Sequence, residues 1–238
     1  MFIQAHRGNS GHAPENTLAA FKSAIEAAAD GIECDIHLTG DGRFVVCHDD
    51  TIDRTSTGTG EIAAMDFEEL RRHDFGVKFG EGFAGEKIPA LEEMLEVVKT
   101  MRAINIEIKK FAGGTPGDPY KRLCEMLRGF GVFDKTIISS FSAEALGQMY
   151  RADSNICTAY LCSPKSGEGT IETAISLGCR AIHPHFAGID EDYMREAKAA
   201  GLIVNAWTAN KPDDILFCKN MGCDAVITDE PALARTLV

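Results

Sequence analysis

Gly31-Ile32-Glu33-Cys34-Asp35-Ile36-His37-Leu38 is a run of strand-forming residues with two acids inside it. In an extended chain, successive side chains point to opposite faces. Ile32, Cys34 and Ile36 therefore share one face, suited to a covering layer of helices. Glu33 and Asp35 share the other, which points into an interior. Two carboxylates side by side in a low-dielectric site repel each other, and burying them unpaired is costly. A strand of this kind needs cationic compensation nearby.

Working outward from this run, seven others read as strands: 2–6, 103–109, 136–141, 156–161, 180–185, 202–208 and 224–228. Helix-period segments follow at 17–29, 91–100, 119–130, 143–152, 169–177, 191–200, 212–221 and 231–236. In the first of these, Leu18, Phe21 and Ile25 form one stripe, Asn16 is positioned to cap the N-terminus, and Gly31 follows the C-terminal end. Gly178, Gly201 and Gly222 fall where helix-ending glycines belong. Repeated strand–helix alternation implies parallel strands with crossover helices. Eight units in a chain of 238 residues predict a (β/α)8 TIM barrel. The competing architecture is an open doubly wound sheet, but no Gly-x-Gly-x-x-Gly follows any strand.

The rhythm breaks once. The stretch at about 39–90, after the second strand, holds a short extra strand in GDGRFVVCHDD, a Thr/Gly-rich TIDRTSTGTGE, a short helix near 66–72 and a Gly-rich segment. Insertions of this length are usually functional or disordered, and this one leaves the barrel end where active sites sit. It is too small to stand alone. The expectation is one catalytic barrel domain over 1–238, with this insertion capping its mouth.

Lys and Arg total 24 against 36 Asp and Glu, a formal charge of −12. A field of that sign repels phosphate backbones and argues against nucleic-acid partners. No stretch reaches the roughly 20 apolar residues of a membrane span, and MFIQAHRGNSG lacks signal-peptide character. Eight scattered cysteines without a Cys-x-x-Cys pair fit a reduced, cytoplasmic protein.

The run Asn105-Ile106-Glu107-Ile108-Lys109 repeats the pattern of the opening strand, with Glu107 and Lys109 on the non-isoleucine face. Neighbouring strands bring Glu33, Asp35 and Glu107 to one point, a ligand set suited to one hard divalent cation such as Mg²⁺ or Ca²⁺. The other reading is a buried ion-pair network with Arg7 and Lys109. His6 ends the first strand and His48 opens the insertion, both on the predicted active face, as a candidate acid–base pair. His12, His37, His73, His183 and His185 are weaker candidates. Arg7 and Lys109 are either phosphate clamps or partners in ion pairs with Glu15 and Glu107. Trp207, at the end of the seventh strand, either packs on a substrate carbon or is ordinary rim packing. Asp229 reads as the start or cap of the last helix.

His6-Arg7-Gly8, Pro14-Glu15-Asn16-Thr17, Glu33-x-Asp35, His48-Asp49 and Asn105-Ile106-Glu107-Ile108-Lys109, in this order, resemble the glycerophosphodiester phosphodiesterase family. Thr51-Ile52-Asp53-Arg54-Thr55, Ala206-Trp207-Thr208 and Ile227-Thr228-Asp229-Glu230-Pro231 extend the resemblance over essentially the whole chain. It implies a barrel with an insertion after strand two. It also implies hydrolysis of small-molecule glycerophosphodiesters to glycerol 3-phosphate and an alcohol. By resemblance Glu33, Asp35 and Glu107 carry the metal, His6 and His48 carry acid–base catalysis, Arg7 and Lys109 bind phosphate, and Glu15 orders the first loop. The rivals are a phosphodiesterase for lysophospholipid or sphingolipid diesters, disfavoured by the lack of a basic amphipathic segment, and a non-catalytic polyol-phosphate binder. The ends of strands five and six leave headgroup preference open.

Overall fold

A computed structural model of the chain describes residues 1–109, 111, 117–163 and 169–238. The segment 164–168, just past the fifth predicted strand, lies outside them. The strands are β1 (Phe2–His6), β2 (Gly31–Leu38), β3 (Phe44–Val46), β4 (Ala103–Ile108), β5 (Thr136–Ser140), β6 (Cys157–Cys162), β7 (Ala181–Pro184), β8 (Ile203–Ala206) and β9 (Ala225–Thr228). All except β3 are parallel to their neighbours. They run β1-β9-β8-β7-β6-β5-β4-β2, and β1 pairs with β2 to close the ring. The closed parallel barrel is a TIM barrel. β3 lies antiparallel on the end of β2, pairing Ile36 with Val46 and Leu38 with Phe44.

The helices are α1 (Leu18–Glu26), α2 (Phe67–Leu70), α3 (Leu91–Val98), α4 (Pro119–Gly129), α5 (Ala143–Ala152), α6 (Thr170–Ser176), α7 (Glu191–Ala199), α8 (Pro212–Asn220) and α9 (Pro231–Leu237). They cover the barrel with the apolar stripes their periodicity predicts. In α3, Leu91, Met94, Leu95 and Val98 repeat at helical spacing and are all fully buried. Each contributes about 1.5–3 kcal/mol relative to exposure. They meet Ile32, Cys34 and Ile36 from the outer face of β2 in one core cluster. Val45, Ile52, Ile62, Phe67, Leu70, Phe75 and Ile88 of the insertion bury a smaller cluster of their own.

Two local expectations fail. The N-cap of α1 is Thr17, whose Oγ1 accepts from Ala20 N, rather than Asn16. Asn16 adopts φ +57° and its amide Nδ2 donates to Asp35 at 2.9 Å. A buried carboxylate needing a donor outcompetes a helix end that a neighbour can satisfy. α1 also stops at Glu26, and Ala28, not Gly31, takes the left-handed conformation that ends it. Gly178, Gly201 and Gly222 do take that conformation after their helices.

Several predicted strands end one or two residues early at the rim. Arg7, Lys109, Phe141, His185, Trp207 and Asp229 each directly follow the last residue of a strand. The chain leaves the ladder there, so these side chains ring the carboxyl end of the barrel.

Candidate active site

Strand register builds the acidic centre. His6 of β1 is level with Glu33 of β2, and Asp35 of β2 is level with Glu107 of β4. Glu33, Asp35 and Glu107 are 4%, 1% and 8% exposed. One oxygen from each lies within 4.8 Å of the others. Burial and the neighbouring Asp35 charge push the Glu33 carboxyl up to about 7. The same two causes push Glu107 up to about 8. Burial acts on Asp35 too, but Lys109 and Arg7 outweigh it and hold Asp35 well below the ordinary carboxylate range. Lys109 Nζ is 2.9 Å from Asp35 Oδ1 and 2.5 Å from Glu107 Oε1. Arg7 Nε is 3.4 Å from Asp35 Oδ2. Two cations face three carboxylic groups, two of which, Glu33 and Glu107, hold their protons more tightly than usual. Three buried, converging oxygen donors that can shed those protons fit a hard divalent cation.

The turn after β1 serves this centre. Arg7 has φ +56° and Gly8 φ +82°, and a side chain at Gly8 would sit 2.7 Å from Ala20 of α1. A left-handed non-glycine residue costs about 1–2 kcal/mol, and such strain gathers at functional sites. Here it aims the Arg7 N–H at Glu33 Oε2, 3.0 Å away, while the guanidinium folds back over Asp35.

Two imidazoles flank the acids, and each is held by a carboxylate. His6 Nδ1 lies 2.6 Å from Asp229 Oδ1, and its Nε2 is 3.9 Å from Glu33. His48 Nδ1 lies 2.6 Å from Asp49 Oδ1. A carboxylate at Nδ1 fixes the proton there and leaves Nε2 to the substrate side. β3 delivers His48 to the rim: the Cys47 N–H donates to Asp35 O, and the buried His37 Nε2 lies 3.1 Å from His48 O. Burial lowers the His6 pKa, but the Asp229 hydrogen bond and the Glu33 charge reverse the sign and raise it above 6.5. Burial lowers that of His48, and its acidic neighbours do not compensate.

Asp229 does not serve the last helix as its position in the sequence suggests. It neither starts nor caps α9, whose N-cap position is Glu230. It takes the His6 imidazole, a hydrogen bond from Asn210 Nδ2 and a contact with Ser10 Oγ at 2.8 Å. Glu15 accepts from Arg7 Nη1 at 2.9 Å and from both terminal nitrogens of Arg54 at 2.7 Å. Arg54 also donates to Asp49.

The residues His6, Arg7, Glu33, His48, Glu107 and Lys109 line one cavity of about 260 Å³. Asp35, almost fully buried, has a carboxylate oxygen within 4.8 Å of those of Glu33 and Glu107. Phe141, Leu161, Trp207 and Ile227 give the same cavity an apolar part of its lining. Trp207 Nε1 donates to His183 O at 2.6 Å, and its ring meets Phe141 and His185 edge-on. All eight predicted site residues thus gather at one mouth. His183 does not: it is fully buried inside the barrel against Asn205 and Asn105, and burial drives its pKa down to about 3. His12 is on the surface beside Glu230. Phe141, the role of Asp229 and the bridging by Arg54 are not visible in the sequence pattern. The one signal for Asp229 is its position directly after the last strand.

Comparison with known proteins gives one family. The model of the glycerophosphoryl diester phosphodiesterase family matches residues 6–233. A glycerophosphodiester phosphodiesterase of Caldanaerobacter subterraneus is 37% identical over 242 residues, covering 99% of this chain and 97% of that protein. The structure of an Oleispira antarctica phosphodiesterase in complex with the product sn-glycerol-3-phosphate superposes with a TM-score of 0.91 at 33% identity, covering 100% of this chain and 96% of that one. A Thermotoga maritima glycerophosphodiester phosphodiesterase gives 0.81 at 27% identity, covering 100% and 98%.

Proposed function

The chain belongs to the glycerophosphoryl diester phosphodiesterase family, and from that premise we propose how its residues hydrolyse a glycerophosphodiester to sn-glycerol 3-phosphate and an alcohol. The observation that carries the reading is the meeting of three buried carboxylates and two carboxylate-held imidazoles in one cavity. Glu33, Asp35 and Glu107 would hold one divalent cation, Mg²⁺ or Ca²⁺. When bound, it supplies Lewis-acid stabilisation of negative charge on the diester.

Arg7 and Lys109 are both partly exposed to the cavity and offer positive charge to the phosphate oxygens as they gain charge in the transition state. His48, the imidazole whose pKa is lowered, is neutral and takes the proton of the attacking oxygen, either water or a neighbouring glycerol hydroxyl. His6, the imidazole whose pKa is raised, holds a proton for the departing alcohol oxygen. Trp207 and Phe141 give the carbon skeleton an apolar wall. Residues 1–238 act as one catalytic unit, with the insertion at about 39–90 supplying His48.

Among the described residues no helix is long and apolar enough to cross a membrane. The substrate of this proposal is a deacylated headgroup diester rather than an acylated lipid, in line with the family the chain belongs to. A reduced, cytoplasmic setting is part of this proposal, from the scattered cysteine spacing in the sequence. The test is direct: incubate the purified protein with glycerophosphocholine, glycerophosphoethanolamine and lysophosphatidylcholine, with divalent metal present, and measure products. Glycerol 3-phosphate from the first two is expected. Choline and acylglycerol phosphate from lysophosphatidylcholine, with no turnover of the two deacylated diesters, would favour the lipid-directed alternative.

A further inference from the structure

Arg54 lies in the insertion, outside the set of residues to which the reaction is assigned. Its guanidinium nonetheless joins a continuous charged chain across the mouth. Nη1 donates to Glu15 Oε2 and Nη2 to Glu15 Oε1, both at 2.7 Å. Nε donates to Asp49 Oδ2 at 2.7 Å, and Nη2 reaches Asp49 Oδ1 at 3.1 Å. The same Glu15 Oε1 accepts from Arg7, and the same Asp49 Oδ1 holds His48 Nδ1. The order is Arg7, Glu15, Arg54, Asp49, His48, with the two carboxylates converging on one nitrogen of Arg54. We propose that Arg54 is a positioning residue: one planar fork that locks the Arg7 phosphate clamp and the His48 imidazole in a fixed mutual geometry.

The inference rests on the roles proposed for Arg7 and His48. Three physical points support it. Only a guanidinium presents donors on two edges at once, so a lysine ammonium cannot hold both carboxylates in the same plane. Removing the fork would leave Glu15 and Asp49 facing each other as like charges, and the simplest relief is for one to turn away with its partner. The Arg54 hydrogen bond also holds the Asp49 carboxyl down at about 2, so Asp49 stays ionised and keeps the His48 proton on Nδ1. Arg54 is about half exposed, so as a set of isolated surface ion pairs it would matter little. Its effect comes from what each carboxylate holds on its other side.

The experiment uses the full chain and compares wild type, Arg54→Ala, Arg54→Lys and Asp49→Asn on a glycerophosphodiester. Small misplacements of catalytic groups cost up to about 100-fold. We therefore expect Arg54→Ala to lose about 10–100-fold in kcat with a smaller change in KM and unchanged divalent-metal affinity by calorimetry. Added guanidinium ion should restore part of the loss, and Arg54→Lys should stay impaired. Asp49→Asn combined with Arg54→Ala should be no worse than the poorer single variant, because both break the same chain. An Arg54→Ala enzyme within twofold of wild type overturns the inference. So does a loss that guanidinium cannot rescue and that comes with lost metal affinity or a collapsed melting transition, the mark of a merely structural residue. A wild type with no turnover at all overturns the functional reading itself, and this inference with it.

Discussion

His6 and His48 present the same local device, an imidazole with a carboxylate 2.6 Å from Nδ1. They differ in what stands behind the carboxylate. Asp229 is held by neutral groups, Ser10 and Asn210, so its charge acts on His6, and Glu33 adds to it. Asp49 is gripped by the Arg54 cation, and Arg7 and Lys109 add positive potential at His48. The result is two opposite shifts from one motif, His6 upward and His48 downward. Burial lowers both imidazoles; at His6 the Asp229 hydrogen bond and the Glu33 charge outweigh it, whereas at His48 the cations Arg7 and Lys109 offset what Asp35 and Asp49 add. With a cation at Glu33 that residue's contribution to His6 shrinks, and Asp229 still holds the imidazole.

The sharpest way to break this comparison is to delete each imidazole in turn. Loss of a general acid or base costs about 10²–10⁴-fold, so His6→Ala and His48→Ala should both fall by that order on a diester with an alkyl alcohol. They should separate on a glycerophosphodiester carrying p-nitrophenol, a leaving group that needs no proton. His6→Ala should recover there and His48→Ala should not. Equal recovery of both, measured as nitrophenolate release, would erase the division of roles.

Next in size is the exchange of each backing carboxylate for its amide. Asp229→Asn and Asp49→Asn keep the shape but can favour the wrong tautomer. Each should lose about 10–1000-fold in kcat, with metal binding intact by calorimetry. The pH profile of the wild type then reports both dyads together. A base must be deprotonated, so activity falls as pH drops through the His48 pKa, which lies below 6.5. An acid must be protonated, so activity falls as pH rises through the His6 pKa, which lies above 6.5. With the metal kept saturating at every pH, the expected kcat/KM profile is a bell whose acid limb vanishes in His48→Ala and whose alkaline limb vanishes in His6→Ala. The smallest effect is Ser10→Ala. It removes one neutral hydrogen-bonding group from Asp229, worth about 0.5–1.5 kcal/mol, so a drop of about 3–10-fold in steady-state turnover is expected.

The same contrast separates what is legible in the sequence from what is hidden there. Alternation within 31–38 and 103–109 places Glu33, Asp35 and Glu107 on inner faces, because strand geometry is local and period two is hard to mistake. The eight-fold alternation of strand and helix gives the barrel by equally local rules. Those rules misplace Asp229, because its partner, His6, is 223 positions away and meets it only when β9 pairs with β1 to close the ring. They also assign Asn16 to a helix cap, because local capping cannot register a buried Asp35 reaching across from β2. The bridging of Arg54 depends on how the insertion folds over the mouth, around a small core of its own, and no periodicity encodes that.

In the proposed reaction Glu33, Asp35 and Glu107 jointly hold a divalent cation on which hydrolysis depends. Glu33 and Glu107, pushed up to about 7 and 8 without an ion, must give up protons to bind one, so metal affinity should weaken as pH falls from about 8 toward about 6. The direct measurement is calorimetric titration of Mg²⁺ or Ca²⁺ into the chelated protein in buffers of different ionisation enthalpy, with glycerol 3-phosphate release followed on the same samples. The account predicts one ion per chain, proton release on binding, activity that rises with occupancy, and loss of both in Glu33→Gln. Full activity after complete chelation, or turnover without any bound ion, would contradict it.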